Sequence, residues 1–166
     1  MNPYILFAPK GQHLNMADMS SYRQILYHLV FRTKYSRKTL VPEHTRELYG
    51  YIMGVIKNNR CFLYRINGME NHLHILCDLH PTVALADLIR DIKTSSSVWL
   101  KESGNFPDFT GWSAGYAALT YAHRDKDMIV NYIKKQHEHH KKKTYEAELR
   151  ILLKEQGIQI DEKYFP

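Results

Sequence analysis

Apolar and polar residues alternate from residue 24 to 33, with Ile25, Tyr27, Leu29 and Phe31 on one side and Leu26, His28, Val30 and Arg32 on the other. Period two with aromatic and branched residues predicts a strand, and apolar positions on both sides predict a central one. The period then lengthens. Leu48, Tyr51, Ile52, Val55 and Ile56 recur at helical spacing, predicting a helix over 43–58. Pro42 opens it, since its missing N–H would be unpaired in a first turn. A second strand is expected over 61–66, a turn over 67–71, and a third strand running back antiparallel from His72 to Leu79. A second helix begins at Pro81 and Thr82, with Thr82 as N-cap, and carries Val83, Leu85, Leu88, Ile89, Ile92 and Trp99. A loop over 104–110 leads to a fourth strand over 112–121, and a third helix runs from 125 to about 140. A last short helix spans 144–155.

The order β-α-β-β-α-β followed by helices predicts an α+β fold: a ferredoxin-like, RRM-like antiparallel sheet with two crossover helices on one face and a further helix towards the C-terminus. The other face of the sheet is left open. Residues 1–19 lack sustained periodicity and read as a flexible leader or added extension, residues 20–155 as the domain, and 156–166 as a tail.

Composition narrows the class. A chain of 166 residues with 44% hydrophobic and 12% aromatic content buries a core and is not disordered. No apolar run approaches the roughly 18 residues of a membrane span, and the first residues have no basic leader. A cytoplasmic protein is expected, with Cys61 and Cys77 as unpaired core thiols. The net charge of +6 favours an anionic partner, nucleic acid first among them.

The chemistry centres on His72-Leu73-His74. On a strand, His72, His74, Leu76 and Asp78 share one face and Leu73, Ile75, Cys77 and Leu79 the other, wholly apolar one. With 10 His in 166 residues, about 0.6 such pairs arise from composition alone, so the pair needs partners. The third helix offers them. Tyr132 and Gln136 stand four residues apart, about 40° around a helix, which sets a phenol beside an amide oxygen. Gln136 could complete a two-histidine metal site with Tyr132 in reach. A tyrosine on an apolar stripe is usually core, but this stripe continues through Gln136, His137 and His140, groups of little use to a packing face. Near the first strand's end, Arg32, Lys34, Arg37 and Lys38 surround Tyr35, a pattern that fits a nucleic-acid backbone with a stacked base as well as it fits a solvated loop.

Three segments resemble the single-tyrosine HUH transposases of the IS200/IS605 insertion sequences: Tyr27 to Tyr35, Asn71 to Leu76, and Tyr132-Ile133-Lys134-Lys135-Gln136, in that family's order and spacing over about residues 20–140. Asn71 departs from the pattern, which has an acidic residue before the first histidine. The resemblance implies that His72, His74 and Gln136 hold a divalent cation, Mg²⁺ or Mn²⁺, and that Tyr132 is the nucleophile. It further implies cleavage and rejoining of single-stranded DNA through a 5′-phosphotyrosine, recognition of DNA hairpins, and a homodimer in which the tyrosine helix of one subunit can serve the histidine pair of the other. Arg32, Lys34, Tyr35, Arg37 and Lys135 are the expected DNA contacts. Two other functions fit the same residues less well: a non-catalytic single-strand-binding module, and a metal-dependent phosphodiesterase that uses water.

Overall fold

The computed structural model describes residues 23–140, 143–163 and 165. The proposed leader lies outside them. Four strands, β1 (Leu26–Arg32), β2 (Phe62–Met69), β3 (His72–Asp78) and β4 (Ala117–Tyr121), form one antiparallel sheet in the order β2-β3-β1-β4. Helices α1 (Thr45–Asn58) and α2 (Leu85–Glu102) cover one face. There Leu29 and Phe31 of β1 and Leu73, Ile75 and Cys77 of β3 meet Leu48, Ile52, Ile56, Leu88 and Ile92, all of them fully buried. This is the ferredoxin-like arrangement read from the periodicity. Among the described residues no helix is long and apolar enough to cross a membrane.

Four boundaries differ from the sequence reading, each for a physical reason. The segment expected to turn over 67–71 stays in β2 as far as Met69. Gly68 pairs with Leu73, and a Cβ at that position would lie 2.2 Å from the backbone oxygen of His72. The glycine therefore serves a close strand approach, not a turn. Helix α2 starts at Leu85, because Ala84 is extended and the backbone N–H of Thr82 donates to the ring of His80. The strand expected from 112 begins only at Ala117. Lys93 Nζ donates to the carbonyls of Ser113, Ala114 and Gly115 at 2.9, 3.1 and 2.8 Å, drawing them away from sheet pairing.

The fourth difference bears on function. The expected third helix is two pieces, α3 (Lys126–Lys134) and α4 (Gln136–His139), broken at Lys135. Together with α5 (Tyr145–Glu155), α3 covers the face predicted to be open. Ile129 and Ile133 pack on Leu76, while Leu149 and Leu152 pack on Val30 and Leu119. The face expected to be open is therefore covered by the chain's own helices.

Candidate active site

β3 brings His72 and His74 to the covered face, both fully buried. Their outer nitrogens fix their orientation. His72 Nδ1 lies 2.7 Å from Asn71 Oδ1, an acceptor, so this nitrogen carries the hydrogen and Nε2 keeps its lone pair. The side-chain amide oxygen of Asn71 thus orients the ring. His74 Nδ1 lies 2.9 Å from His28 Nε2 on the neighbouring strand, and donation from His74 leaves its Nε2 lone pair free as well.

Both Nε2 atoms, and Oε1 of the fully buried Gln136, have no hydrogen-bond partner. Buried acceptors left without partners are what a cation needs. A carboxylate meets them. Glu148 Oε2 of α5 lies 3.7 Å from His72 Nε2, 3.5 Å from His74 Nε2 and 2.8 Å from His140 Nε2. Donor–donor separations of roughly 3–3.5 Å accompany metal–ligand bonds near 2.1 Å, so His72, His74 and Glu148 fit a divalent cation.

The other carboxylate oxygen, Glu148 Oε1, accepts from Tyr132 Oη and, at 2.9 Å, from Gln136 Nε2. Burial, followed by the charge of Glu148 and the hydrogen bond to it, pushes the Tyr132 phenol far above its ordinary range. Burial alone would raise the Glu148 carboxyl, but the imidazoles of His140 and His74 and the Tyr132 phenol outweigh it and hold the group well below the carboxylate range. In this arrangement the proton stays on tyrosine.

Tyr132 and Gln136 face the histidines together because of Asn67, which lies opposite His74 in the sheet. Its buried side-chain amide donates to the carbonyls of Ile133 and Lys134 at 2.9 and 3.2 Å, the last carbonyls of α3, at the break between the two helices. Those carbonyls would otherwise be orphaned at the helix end. Asn67→Ala is expected to cost about 1–3 kcal/mol of stability in chemical denaturation. An unchanged denaturation midpoint would contradict that role.

Of the predicted DNA contacts, Lys34, Tyr35 and Arg37 share one exposed turn, with Lys34 Nζ and the Arg37 guanidinium 5.4 and 5.6 Å from the centre of the Tyr35 ring. Tyr35 is 71% exposed and holds a left-handed φ of 60°, a strained backbone for a free aromatic. Arg32 is half-buried at the end of β1, opposite His72, and donates to Ser36 Oγ at 2.6 Å. Lys135 is exposed at the helix break, apart from that turn.

Sequence reasoning missed three residues. Glu148 carried a readable signal, since it falls on the same helical stripe as Tyr145, Leu149 and Leu152, where a carboxylate is out of place. His28 had none, because its role depends on strand pairing; His140 lay on the polar continuation of the tyrosine stripe, but its contact with Glu148 depends on the path of the chain after α4.

The buried imidazoles make the fold acid-sensitive. Burial, then the like charge of His74, holds His28 well below its ordinary pKa, and burial followed by His74 and His140 does the same to His72. Unfolded, both take up protons as the pH drops through about 6.5; folded, they do not. The unfolded chain then binds more protons, so stability falls with pH, by up to about 1.4 kcal/mol per pH unit for each histidine. Glu148, with its lowered pKa, adds nothing until the pH reaches the range of unfolded carboxyls near 4.3. Thermal melts in chelator between pH 7.5 and 5 should show a falling midpoint, and a flat or rising one would contradict neutral burial.

A ferredoxin-like sheet whose covered face joins paired histidines, an amide and a tyrosine defines a class, and the sequence agrees with it. The chain belongs to the IS200-like transposases, whose family pattern matches residues 21–136. It is 27% identical over 125 residues to the ISDra2 transposase TnpA of Deinococcus radiodurans, covering 69% of this chain and 86% of that one. A crystal structure of a transposase from Deinococcus radiodurans aligns with a TM-score of 0.54 at 23% identity, over 69% of this chain and 93% of that one. A REP-associated tyrosine transposase bound to a REP hairpin aligns with a TM-score of 0.55 at 16% identity, over 74% of each.

Proposed function

We propose that the protein cleaves and rejoins single-stranded DNA at the ends of a mobile or repeated element, with Tyr132 as nucleophile and a divalent cation held by His72, His74, Gln136 and Glu148. The observation that carries this reading is convergence: the Tyr132 hydroxyl and both histidine Nε2 atoms approach the same carboxylate. Held by these residues, Mg²⁺ or Mn²⁺ would supply Lewis-acid polarisation of a scissile phosphate and stabilise charge on its oxygens. Tyr132 Oη attacks phosphorus and the 3′-oxygen of the preceding nucleotide leaves. The phenol loses a proton and the departing oxygen gains one, giving a 5′-phosphotyrosine and a free 3′-hydroxyl. One phosphodiester replaces another, so a 3′-hydroxyl can reverse the step and join strands without ATP. Asn71 and His28 hold the imidazoles, and Asn67 seats the tyrosine.

The substrate class follows from charge and likeness. The exposed Lys34, Tyr35 and Arg37 turn suits a phosphate backbone and a stacked base, with Arg32 between that turn and the histidines and Lys135 beyond the tyrosine helix. The hairpin held by the REP-associated relative supports a hairpin partner here. The test is to incubate the protein with single strands from the DNA flanking its gene, with Mg²⁺ or Mn²⁺. A covalent protein–DNA species with a matching 3′-hydroxyl fragment is expected. Cleavage without that species would make the protein a water-using phosphodiesterase instead.

A further inference from the structure

A charge buried in a fold is almost always paired, by a carboxylate or by converging hydrogen bonds. Arg65 on β2 breaks that rule. The residue is 8% exposed, yet its guanidinium makes no hydrogen bond and no ion pair among the described residues. Nε is sealed from water without a partner, while the two terminal nitrogens touch solvent. Burial lowers the pKa of the group, as expected for a cation held without a counter-charge.

The surroundings explain why no partner is at hand. A register shift between Leu63 and Arg65 sets Arg65 opposite Leu76, on the face that carries Asn67, His74 and His72. Acceptors near it are already used. Asn67 Oδ1 accepts from the Tyr49 hydroxyl at 3.5 Å, and the carbonyls of Ile133 and Lys134 accept from the Asn67 amide. β2 is an outer strand of the sheet, so the guanidinium stands at an edge that no other strand covers. It lies two residues, about 7 Å, along β2 from Asn67. Asn67 in turn holds the helix break, where Lys134 and Lys135 are exposed.

We propose that Arg65 binds a phosphate of the single strand that leads to the cleaved bond, at an anion site on the β2 edge distinct from the turn of Lys34, Tyr35 and Arg37. This rests on the proposed function. A guanidinium with both terminal nitrogens free matches two oxygens of one phosphodiester. The occupant is part of a nucleic-acid strand because Lys134 and Lys135 lie between Tyr132 and Gln136 in the chain. A strand whose phosphate meets Tyr132 therefore has these cations next to it. Arg65 is a binding residue and takes no part in the bond exchange itself.

Binding is measured with the full chain in chelator, so that no cleavage occurs, using a hairpin oligonucleotide with a single-stranded flank from beside the gene. Arg65→Met removes the charge and keeps most of the side chain's volume. It should weaken binding about tenfold. It should also make the slope of log Kd against log salt shallower by about 0.7, the contribution of one single-strand phosphate. Arg65→Lys should keep the slope and lose less affinity, since it retains the charge without the fork. Replacing single flank phosphates by uncharged methylphosphonates should reveal one position that costs the native protein about tenfold and Arg65→Met nothing. Unchanged affinity and slope in Arg65→Met would overturn the site. So would a lower melting midpoint of that variant without DNA, which would make the guanidinium a structural group; loss of an unpaired buried charge should leave the midpoint unchanged or raise it. A shared phosphate position with no covalent adduct from native protein and Mn²⁺ would leave the site standing and refute the tyrosine chemistry. Adduct formation with equal affinities would do the reverse.

Discussion

Tyr132→Phe should abolish the covalent protein–DNA species, lowering its rate of formation by at least about 10³-fold, while hairpin binding in a gel-shift stays nearly unchanged. The substitution removes one oxygen from a half-buried ring that packs near His28, His74 and His139, with centroids 6.1, 6.0 and 5.0 Å away. Packing survives, and so does the fold. What is lost is the hydroxyl joined to the carboxylate that the histidines face. The variant also relieves that carboxylate of one donor while Gln136 and His140 still hold it. A variant that still formed adduct at a comparable rate would place the nucleophile elsewhere, on Tyr121 or Tyr145 nearby.

The second large effect is expected at the histidines. His72→Ala and His74→Ala should each weaken Mn²⁺ binding by about 10²-fold or more in calorimetry and slow cleavage by about 10²–10³-fold. The double variant should be little worse than either single one, because groups that act as a unit are not additive. His74→Ala carries an extra penalty, since it strips the buried His28 ring of its partner and leaves His28 with neither nitrogen bonded. Its melting midpoint in chelator should therefore fall further than that of His72→Ala. Asn71→Ala should act in the same direction as His72→Ala but more weakly, through the ring orientation it sets. Strictly additive losses would mean that the two imidazoles do separate work.

Much of this geometry was legible in the chain. The alternation through residues 24–33 and 72–79 set two central strands and the faces their side chains take, because period two leaves no other choice once one face is apolar. Tyr132 and Gln136 could be placed together from helical spacing. The break at Lys135 could not be read, since it depends on Asn67, distant in sequence, reaching two carbonyls across the sheet. Asn67-Gly68 reads locally as a turn and is overruled by strand pairing. The covering of the histidine face also escaped the pattern. An amphipathic α5 needs some apolar surface, but only the fold shows that the surface is Val30 and Leu119, and that Glu148 rides in with it. The carboxylate on that stripe was the one local hint.

The central claim is that Tyr132 becomes bonded to DNA. The direct measurement is to trap the protein–DNA species formed with Mn²⁺, digest both components, and map the nucleotide-bearing peptide by mass spectrometry. A single 5′-phosphate linked to Tyr132 is the predicted result. A nucleotide on another residue, or cleaved DNA with no modified peptide, would contradict it.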